Sequence, residues 1–337
     1  MKSTSTVAVL MPVYNSEKYL RQAIESILNQ TFQEFTFYIY NDGSTDDSEK
    51  MILSFNDSRI KYIDNEVNKG LIYTLNKGIE MIEADYLIRM DADDISQPSR
   101  IETQLNFMKA HPQVIVSGCQ AKYFGASSAQ TKYPLSNNAI KAHLLFSNVI
   151  IHPSVIMRLN RIKEKALNYN PDFLHSEDYE FWWKCSKHGE LANVDEVLLN
   201  YRLEGQNITT LNWHTRNERL KKVFGLFLSD FKIDQTETNL NLHLQLSNNT
   251  EKISSIKELK NYIELLIQQN KAQKIFDEQE LKSVIQSNLK NLFYKIVDEK
   301  PMKVFSYWIN THLFSFSQLR YLAGRMLKGN NSQKSNS

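Results

Sequence analysis

The first 110 residues of the chain alternate four times between a short apolar run and a helical pattern. The runs are rich in β-branched and aromatic residues, as buried strands are, and they read "VAVLMPV", "FTFYIYN", "IKYID" and "DYLIRM". Apolar residues at helical spacing follow each run, over residues 16–30, 45–55, 71–83 and 98–110. Strand followed by helix, repeated in this way, predicts an α/β fold with a mostly parallel sheet and crossover helices on its faces.

Proline usage divides the chain into two regions. Six of the seven prolines lie at or before Pro171, and the last is Pro301. The later region is rich in Leu, Ile, Lys, Asn, Gln and Glu at helical spacing. The sequence therefore predicts an α/β domain over residues 1–210, an α-helical C-terminal appendage over residues 211–329 and a disordered polar tail over residues 330–337.

Charge and cysteine content narrow the classes of partner and compartment. The chain has 40 basic and 38 acidic residues, a formal net charge of +2, so no global field favours nucleic acid as a partner. Cys119 and Cys185 lie far apart without metal-ligand spacing, which is typical of reduced structural thiols in a cytoplasmic protein. No run of 18 apolar residues predicts a membrane-spanning helix.

Polar residues follow each of the four predicted strands. Ligands bind outside the carboxyl ends of parallel strands, so these residues are the first candidates for a site. They are Pro12, Tyr14 and Asn15 after the first strand, residues 41–47 after the second, residues 65–70 after the third, and Asp91, Asp93 and Asp94 after the fourth. We expect all of them to line one edge of the sheet.

The segment "RMDADD" ends the fourth predicted strand in three carboxylates. Alternate carboxylates beyond a strand can both reach a hard divalent cation, and Mg²⁺ takes one or two carboxylates together with phosphate oxygens. A nucleotide diphosphate meets that requirement. A lone D-x-D also occurs in ordinary acidic turns, so the position at the strand end is what favours a metal site.

The segment "NDGSTDD" has two interpretations. Asp42 before a glycine is typical of a tight turn, and Ser44 with Asp47 resembles a capping box for the next helix. At a strand end, the Asp42 carboxylate can instead accept the ring N–H of a uracil or thymine base. In that interpretation Asn68 and Gly70 let the backbone approach a flat ligand.

The segment "HSEDYEFWWK", residues 175–184, is predicted to open a helix. Glu177 and Asp178 would lie in its first turn, where carboxylates are favourable whatever their function. The four aromatic residues beside them cannot all face the core of one helix. They are Tyr179, Phe181, Trp182 and Trp183. Some are expected to form a wall, because aromatic surface with a carboxylate at its edge suits a sugar and a base of raised pKa.

Together these motifs resemble family 2 glycosyltransferases, which have the GT-A fold, a Rossmann-like, mostly parallel central sheet flanked by helices. The resemblance spans residues 6–205 in the family's order and spacing. It is carried by "VLMPVYNSEKYLRQAIESILNQTF", "YNDGSTDDS", "NKGLIYTLNKGIE", "YLIRMDADD" with "QPSRIETQ", and "SEDYEFWWKCSKHGELANVDEVLLNYRL".

The resemblance implies inverting transfer from a nucleotide sugar, UDP-linked, with Mn²⁺ or Mg²⁺ as cofactor. It implies that Asp93 and Asp91 bind the metal and that Asp178 is the catalytic base, with Glu177 as the alternative. The nucleotide-sugar site would comprise Pro12, Tyr14, Asn15, Asp42, Asn68, Gly70, Arg89, Asp91, Ala92 and Asp93. The acceptor site would comprise His175, Tyr179 and Trp182.

Two segments depart from the family pattern. Related transferases commonly read "YRLH", with a histidine that helps bind the metal–diphosphate group, whereas this chain reads "YRLEGQN". Glu204 can ligate a hard cation or face solvent, leaving Tyr201, Arg202 or a mobile loop to close the site. The segment "NVIIHPSVIMR" also differs, and it leaves donor and acceptor identity open.

The later segments, including "FSFSQLRYLAGRM", look most like bacterial transferases that extend lipooligosaccharide with N-acetylhexosamine in β-1,3 linkage. This resemblance implies UDP-GlcNAc as donor and a galactose-type acceptor in a lipid-linked or surface glycan such as lipooligosaccharide, O-antigen or capsule. UDP-Gal, UDP-GalNAc and UDP-Glc are the alternative donors. The alternative from another class is a non-catalytic glycan-binding or scaffold protein. A nicotinamide dehydrogenase is disfavoured because no G-x-G-x-x-G follows the first strand.

The stretch "FSYWINTHLFSFSQLRYLAGRMLKG", residues 305–329, mixes aromatic residues with Arg320, Arg325 and Lys328. This composition is typical of helices that lie on anionic membrane surfaces, and equally of an aromatic helix packed on its own domain with a basic exposed face. We expect a cytoplasmic enzyme in peripheral contact with the inner face of the plasma membrane.

Overall fold

The structure is a computed structural model, and it describes residues 6–204, 213–248, 255–299, 304–311, 317–323 and 325. The chain forms two compact units, one of residues 1–144 and 148–212 and one of residues 145–147 and 213–337. The tail predicted to be disordered, residues 330–337, lies outside the described residues.

A single sheet dominates the first unit. Among the described residues its eight strands are β1 (Val7–Val13), β2 (Phe35–Asn41), β3 (Ile60–Asp64), β4 (Tyr86–Arg89), β5 (Ile95–Ser96), β6 (Val114–Gly125), β7 (Ile156–Arg158) and β8 (Glu190–Leu203). They lie in the order β3-β2-β1-β4-β7-β6-β8-β5. β1 pairs in parallel with β2 and β4, β2 with β3, and β6 with β8, whereas β7 and β5 are antiparallel to their neighbours. The predicted mostly parallel sheet is confirmed.

Helices flank this sheet, and the first, second and fourth begin two to four residues later than the sequence pattern predicts, whereas the third begins at the predicted residue. They are α1 (Leu20–Leu28), α2 (Ser48–Leu53), α3 (Leu71–Met81), α4 (Arg100–Ala110), α5 (Asn137–Leu144), α6 (Leu159–Glu164) and α7 (Glu177–Cys185). Pro98, the first residue of the fourth predicted helix, lies before α4, which begins at Arg100 after Ser99. The Ser44–Asp47 capping box does not form, because α2 begins at Ser48 without a side-chain cap.

Burial explains why these segments take these forms. Six of the seven residues of β1 are buried, as expected for a central strand covered on both faces. On α1 the buried residues are Leu20, Ala23, Ile24 and Ile27, which recur at helical spacing and form one apolar stripe. Both cysteines, Cys119 and Cys185, are buried free thiols.

The carboxyl ends of the parallel strands meet at one edge of the sheet. Ladder-type hydrogen bonds continue past the strand ends there, from the Asp42 N–H to the Val13 carbonyl (2.8 Å) and from the Asn65 N–H to the Asn41 carbonyl (2.9 Å). From β1 the chain proceeds to β2 and β3 on one side, and β4 lies on the other. The strand order thus reverses between β1 and β4, the position where open α/β sheets bind ligands.

The second unit is helical, as predicted for the C-terminal region. The described helices include α8 (Trp213–Asp230), α9 (Glu237–Leu246), α10 (Ile256–Gln273), α11 (Glu278–Glu299) and α12 (Val304–Thr311), and residues 317–323 are helical as well. His243 is buried in this unit, with Nδ1 2.7 Å from the Tyr262 hydroxyl and Nε2 2.7 Å from the Leu145 carbonyl. Burial lowers the pKa of His243 to about 4, so the ring is neutral at pH 7. Within the described part of the chain, every helix is too short or too polar to cross a bilayer.

Candidate active site

The carboxylate of Asp42, at the end of β2, organises the loop that follows β3. Its Oδ1 accepts from Asn65 Nδ2 at 2.8 Å and from the Lys69 N–H at 3.1 Å. Its Oδ2 accepts from the Gly70 N–H at 2.8 Å. Asp42 is therefore buried and accepts three hydrogen bonds, and it fixes the backbone of residues 65–70 in front of α3. One acceptor position on Oδ2 is left for a ligand.

The loops after β1 and β2 are joined through Asn15. Its Oδ1 accepts from the Thr45 N–H at 2.8 Å, and its own N–H donates to Ser44 Oγ at 3.1 Å. Asn15 has a φ of 46°, a left-handed conformation that asparagine tolerates better than most residues. Tyr14 beside it is 48% exposed, so its ring is available to stack on a flat ligand.

The loop glycines allow the second and third of these loops to meet. A Cβ on Gly43 would lie 2.5 Å from the Asn68 backbone nitrogen, so only glycine permits this approach. Asn68 is exposed and Gly70 is half-buried with a φ of 90°. Together with half-buried Pro12, these residues lie along the same sheet edge, as the sequence predicts from their positions after the strands.

Arg89, the last residue of β4, is buried and only partly paired. Its Nη2 forms an ion pair with Asp91 Oδ1 at 2.6 Å. Its Nε and Nη1 have no hydrogen-bond partner among the described residues. Buried guanidinium N–H groups are rarely left unpaired, so this cation is suited to an additional anionic or polar ligand.

Three carboxylates cluster directly after β4. Oxygen atoms of Asp91, Asp93 and Asp94 all lie within 4.8 Å of one another. Burial, together with repulsion from Asp91, raises the pKa of Asp93 to about 6, and burial and both neighbours raise that of Asp94 as well. Ala92 is buried between the first two. A set of carboxylate oxygens under mutual repulsion fits a hard divalent cation, which would relieve that repulsion.

Arg202 at the end of β8 holds this acidic loop in place. Its backbone N–H donates to Asp94 Oδ1 and its Nε to the Asp93 carbonyl, both at 2.8 Å. Its guanidinium lies over the rings of Tyr19, 3.7 Å from the centroid, and Phe124, at 4.3 Å. The sequence suggests Arg202 only as one of the residues that could close the site in place of a histidine, and no sequence pattern indicates these contacts.

Glu204 is engaged with the start of α1. It accepts a hydrogen bond from the Tyr19 hydroxyl and forms an ion pair with Lys18 Nζ at 3.4 Å. Among the described residues, the group of three or more carboxylates that could share a cation contains the three aspartates and does not include Glu204. Glu204 therefore connects the end of β8 to the residues just before α1.

Asp178, in the first turn of α7, is half-buried and has an unusual pKa. Burial and the adjacent Glu177 carboxylate raise its pKa to about 7, while Arg89 acts in the opposite direction. Asn148 Nδ2 donates to Asp178 Oδ2 at 2.8 Å. Glu177 is buried, and its Oε2 has no hydrogen-bond partner among the described residues. Because Arg89 also pairs with Asp91, it links Asp178 electrostatically to the acidic cluster.

The aromatic residues of α7 do not form the expected wall. Trp182 is fully buried, with its ring 5.8 Å from that of His152, and the buried Tyr179 donates its hydroxyl to the Leu144 carbonyl at 2.8 Å. Neither has surface on which an acceptor sugar could stack, because α7 packs between other elements on more than one face. Of the three predicted acceptor residues only His175 is exposed, and it has a left-handed φ of 65°.

Comparison with solved structures identifies the class of fold. Staphylococcus aureus TarS, residues 1–349 in complex with UDP-GlcNAc, superposes with a TM-score of 0.58 at 16% identity, covering 85% of this chain and 92% of that TarS 1–349 chain. The mannosyltransferase PcManGT of Pyrobaculum calidifontis, in complex with GDP-Man and Mn²⁺, gives 0.51 at 13% identity, covering 96% of this chain and 86% of that one. The fold is thus of the GT-A type.

Sequence comparison identifies the family. The model of glycosyl transferase family 2 matches residues 8–165. An uncharacterized glycosyltransferase of Haemophilus influenzae is 36% identical over 236 residues, 66% of this chain and 73% of the relative. The amylovoran biosynthesis glycosyltransferase AmsE of Erwinia amylovora is 32% identical over 202 residues, 58% of this chain and 75% of AmsE. The chain therefore belongs to glycosyltransferase family 2, as its motifs predict.

Proposed function

We propose that this family 2 glycosyltransferase transfers a sugar from a UDP-linked donor to an acceptor hydroxyl with inversion, and that Asp178 is the base. The observation that carries the proposal is the raised pKa of Asp178, about 7, in a site that Arg89 connects to three clustered carboxylates. A base whose pKa lies near the working pH is ionised often enough to act and basic enough to take a proton.

The donor site would lie at the sheet edge between β1 and β4. Tyr14 and the free acceptor position of Asp42 suit a pyrimidine base, with Pro12, Asn15, Asn68 and Gly70 around it. Arg89, with its two unpaired nitrogens, suits the diphosphate or the sugar. Asp93 and Asp91 would hold Mn²⁺ or Mg²⁺ together with the diphosphate. When bound there, such a cation would offset the negative charge that the departing diphosphate acquires.

The reaction then needs one displacement. The Asp178 carboxylate takes the proton of the acceptor hydroxyl as its oxygen attacks C1 of the donor sugar, and UDP leaves from the opposite face. Attack opposite to the leaving group inverts the anomeric centre, so an α-linked donor gives a β-linked product. Glu177 assists by keeping the pKa of Asp178 high.

For the substrates, we infer N-acetylglucosamine from UDP-GlcNAc and a β-1,3 linkage to a galactose-type acceptor, with UDP-Gal, UDP-GalNAc and UDP-Glc as alternatives. The resemblance of the later segments supports this choice, as do the UDP-GlcNAc bound to TarS and the naming of AmsE as an amylovoran biosynthesis glycosyltransferase. A lipid-linked surface glycan would be the acceptor.

Contact with an anionic membrane is the proposed means of reaching such an acceptor. Phe305 and Ile309, four residues apart on α12, are 70% and 69% exposed. Val304 and Tyr307 on the same helix are buried, so α12 has one face packed in its unit and one apolar face in solvent. Arg320 is exposed as well and adds positive charge. A helix of this kind suits peripheral binding at the inner face of the plasma membrane.

The decisive experiment measures UDP release from a panel of UDP-sugars with Mn²⁺ and a lactose-terminated acceptor, for wild type and Asp178→Asn. We expect acceptor-dependent release from UDP-GlcNAc, reduced by at least about a hundredfold in the variant, because one general base contributes on that order. An Asp178→Asn enzyme as active as wild type would refute the base. Metal-dependent UDP binding without turnover would refute the proposed galactose-type acceptor. Absence of UDP binding would refute the proposal that the donor is a UDP-sugar.

A further inference from the structure

Asn148 contacts the Asp178 carboxylate from a separate loop, the one that precedes β7. Its Nδ2 donates to Asp178 Oδ2 at 2.8 Å, and its Oδ1 accepts from the Ile150 N–H at 3.1 Å. A backbone N–H can only donate, so flipping the Asn148 amide would set two N–H groups against each other. The amide therefore has one favourable orientation, with its donor towards Asp178.

The backbone beside Asn148 is also held in place. The Val149 carbonyl accepts from Asn193 Nδ2 at 3.0 Å, and the same nitrogen donates to the Pro134 carbonyl at 2.8 Å. Asn193 is buried on β8 and lies so near Gly118 of β6 that a Cβ there would come within 2.4 Å of its Oδ1. The loop is thus anchored to the sheet, and its donor is positioned before any substrate binds.

Asp178 keeps its capacity to accept a proton despite this contact. Its Oδ1 accepts from the Tyr179 N–H at 2.7 Å, and its Oδ2 accepts from Asn148. Each carboxylate oxygen has two acceptor positions, so one on each oxygen remains after these bonds. Asn148 thus constrains the side chain and leaves it chemically competent.

We propose that Asn148 is a positioning residue for the reaction, which fixes the rotamer of the Asp178 carboxylate and favours its ionised form. The inference rests on the proposed role of Asp178 as base. A hydrogen bond donated to a carboxylate stabilises the charged state over the protonated one. In a site where burial and Glu177 both favour protonation, the Asn148 amide acts together with the Tyr179 N–H to favour the ionised base at pH 7.

The groups that face Asp178 from the surrounding elements fix the direction of the expected change. They are Glu177 and Tyr179 on α7, Arg89 on β4, Tyr169 in the loop before α7, and Asn148. Burial raises the pKa of both tyrosines, so they stay neutral through the pH range of interest. Arg89 stays charged. Without Asn148, only Arg89 and the Tyr179 N–H still lower the pKa of Asp178, while burial and Glu177 continue to raise it. The pKa of Asp178 is therefore expected to rise.

The test is the pH profile of kcat/KM for UDP release by the full-length protein, comparing wild type with Asn148→Ala. We expect kcat to fall about 10- to 100-fold with the donor KM within about twofold, and the acidic limb to move up by about half to one pH unit. Asn148→Asp, which adds a carboxylate, is expected to move the limb further. Asn148→Ser serves in place of the alanine variant if that variant does not fold.

The matched control is Asn193→Ala, which loosens the same loop without touching Asp178. It is expected to lower Tm while the acidic limb stays in place. A folded Asn148→Ala enzyme with an unshifted limb, or one indistinguishable from Asn193→Ala, would overturn the proposal by reducing Asn148 to a structural residue.

A second readout needs no activity. Between pH 5 and 8, Asn148→Ala is expected to change the pH dependence of Tm in the wild-type background and to leave it unchanged in the Asp178→Asn background. Equal effects in both backgrounds would overturn the proposal. Turnover that survives Asp178→Asn would refute the base and this inference together, whereas an inactive Asp178→Asn with an unshifted Asn148→Ala limb refutes this inference alone.

Discussion

Asp178 shows how a single carboxylate is tuned by what surrounds it. Burial and Glu177 raise its pKa to about 7, and the charge of Arg89 and the hydrogen bonds from Asn148 and the Tyr179 N–H limit the rise. The folded protein thus binds this proton more tightly than the unfolded chain, in which an aspartate has a pKa of about 3.9. The protonated form stabilises the fold below about pH 4, and that stabilisation is lost as the pH rises through about 7.

This linkage predicts how stability should depend on pH. Replacing Asp178 with Asn removes the ionisation, so the Tm of the variant relative to wild type should increase as the pH rises from 5 to 8. The difference in free energy of unfolding between the two proteins is expected to change by about 2 kcal/mol across that range, because relaxation of the half-buried site offsets part of the effect of the pKa shift. Thermal unfolding of both proteins at several pH values measures it. The exposed Asp195→Asn is the control, and a constant difference in Tm would contradict the tuning.

The loop between β3 and α3 shows how a residue that is distant in sequence can fix the start of a helix. α3 begins after Gly70 without a side-chain cap of its own. Asp42, 28 residues earlier in the chain, instead accepts from the Gly70 N–H, and it also accepts from Lys69 and Asn65. A predicted ligand-binding residue therefore also has a structural role, and any variant of Asp42 tests both.

Asp42→Asn is expected to destabilise the protein even without nucleotide. The asparagine amide has only one oxygen, so it can accept either from the Gly70 N–H or from Asn65 and Lys69. Its NH₂ group then faces the remaining N–H donors, and no hydrogen bond forms there. Such a buried mismatch costs about 1 to 3 kcal/mol. Urea unfolding in the absence of ligand measures this cost, and UDP titration of the folded fraction measures binding separately. The exposed Asp85→Asn is the control, and unchanged stability would show that Asp42 is not the anchor.

On the scale of the whole chain, the two units present surfaces of different kinds. The α/β unit gathers polar loops and carboxylates at one sheet edge, whereas the helical unit exposes large apolar side chains on α12. Deleting residues 302–337 would test a membrane role only crudely, because it would also remove the buried Val304 and Tyr307. The exposed face gives a cleaner test.

Phe305→Ser with Ile309→Ser is expected to weaken binding to vesicles that contain anionic phospholipid by at least about tenfold, because two large apolar side chains leave the interface. Co-sedimentation with anionic and with neutral vesicles measures this. The control is Leu53→Ser with Met81→Ser, which removes two large apolar side chains that are each 60% exposed on the other unit. Equal binding by both double variants, or none by wild type, would refute membrane contact by α12.

The sequence predicts the sheet and its ligand-binding edge because both depend on local patterns. Apolar runs of strand length and stripes of helical spacing report burial directly, and D-x-D at a strand end places carboxylates at a known edge of such a sheet. Helix starts are harder to predict, since residues 16–19 and 45–47 have helical spacing but are held in loops by contacts such as that of the Ser16 N–H with Ser48 Oγ and that of the Thr45 N–H with Asn15 Oδ1.

By itself, then, the sequence determined the α/β class, the helical C-terminal region, the family and the positions of the acidic residues. Only the tertiary structure decided what each side chain faces. It buried Trp182 and Tyr179, engaged Glu204 with Tyr19, and brought Asn148 to Asp178 across 30 residues of chain. The reason is physical: periodicity records which side of an element is apolar, whereas a hydrogen bond or a pKa depends on atoms that different elements bring together.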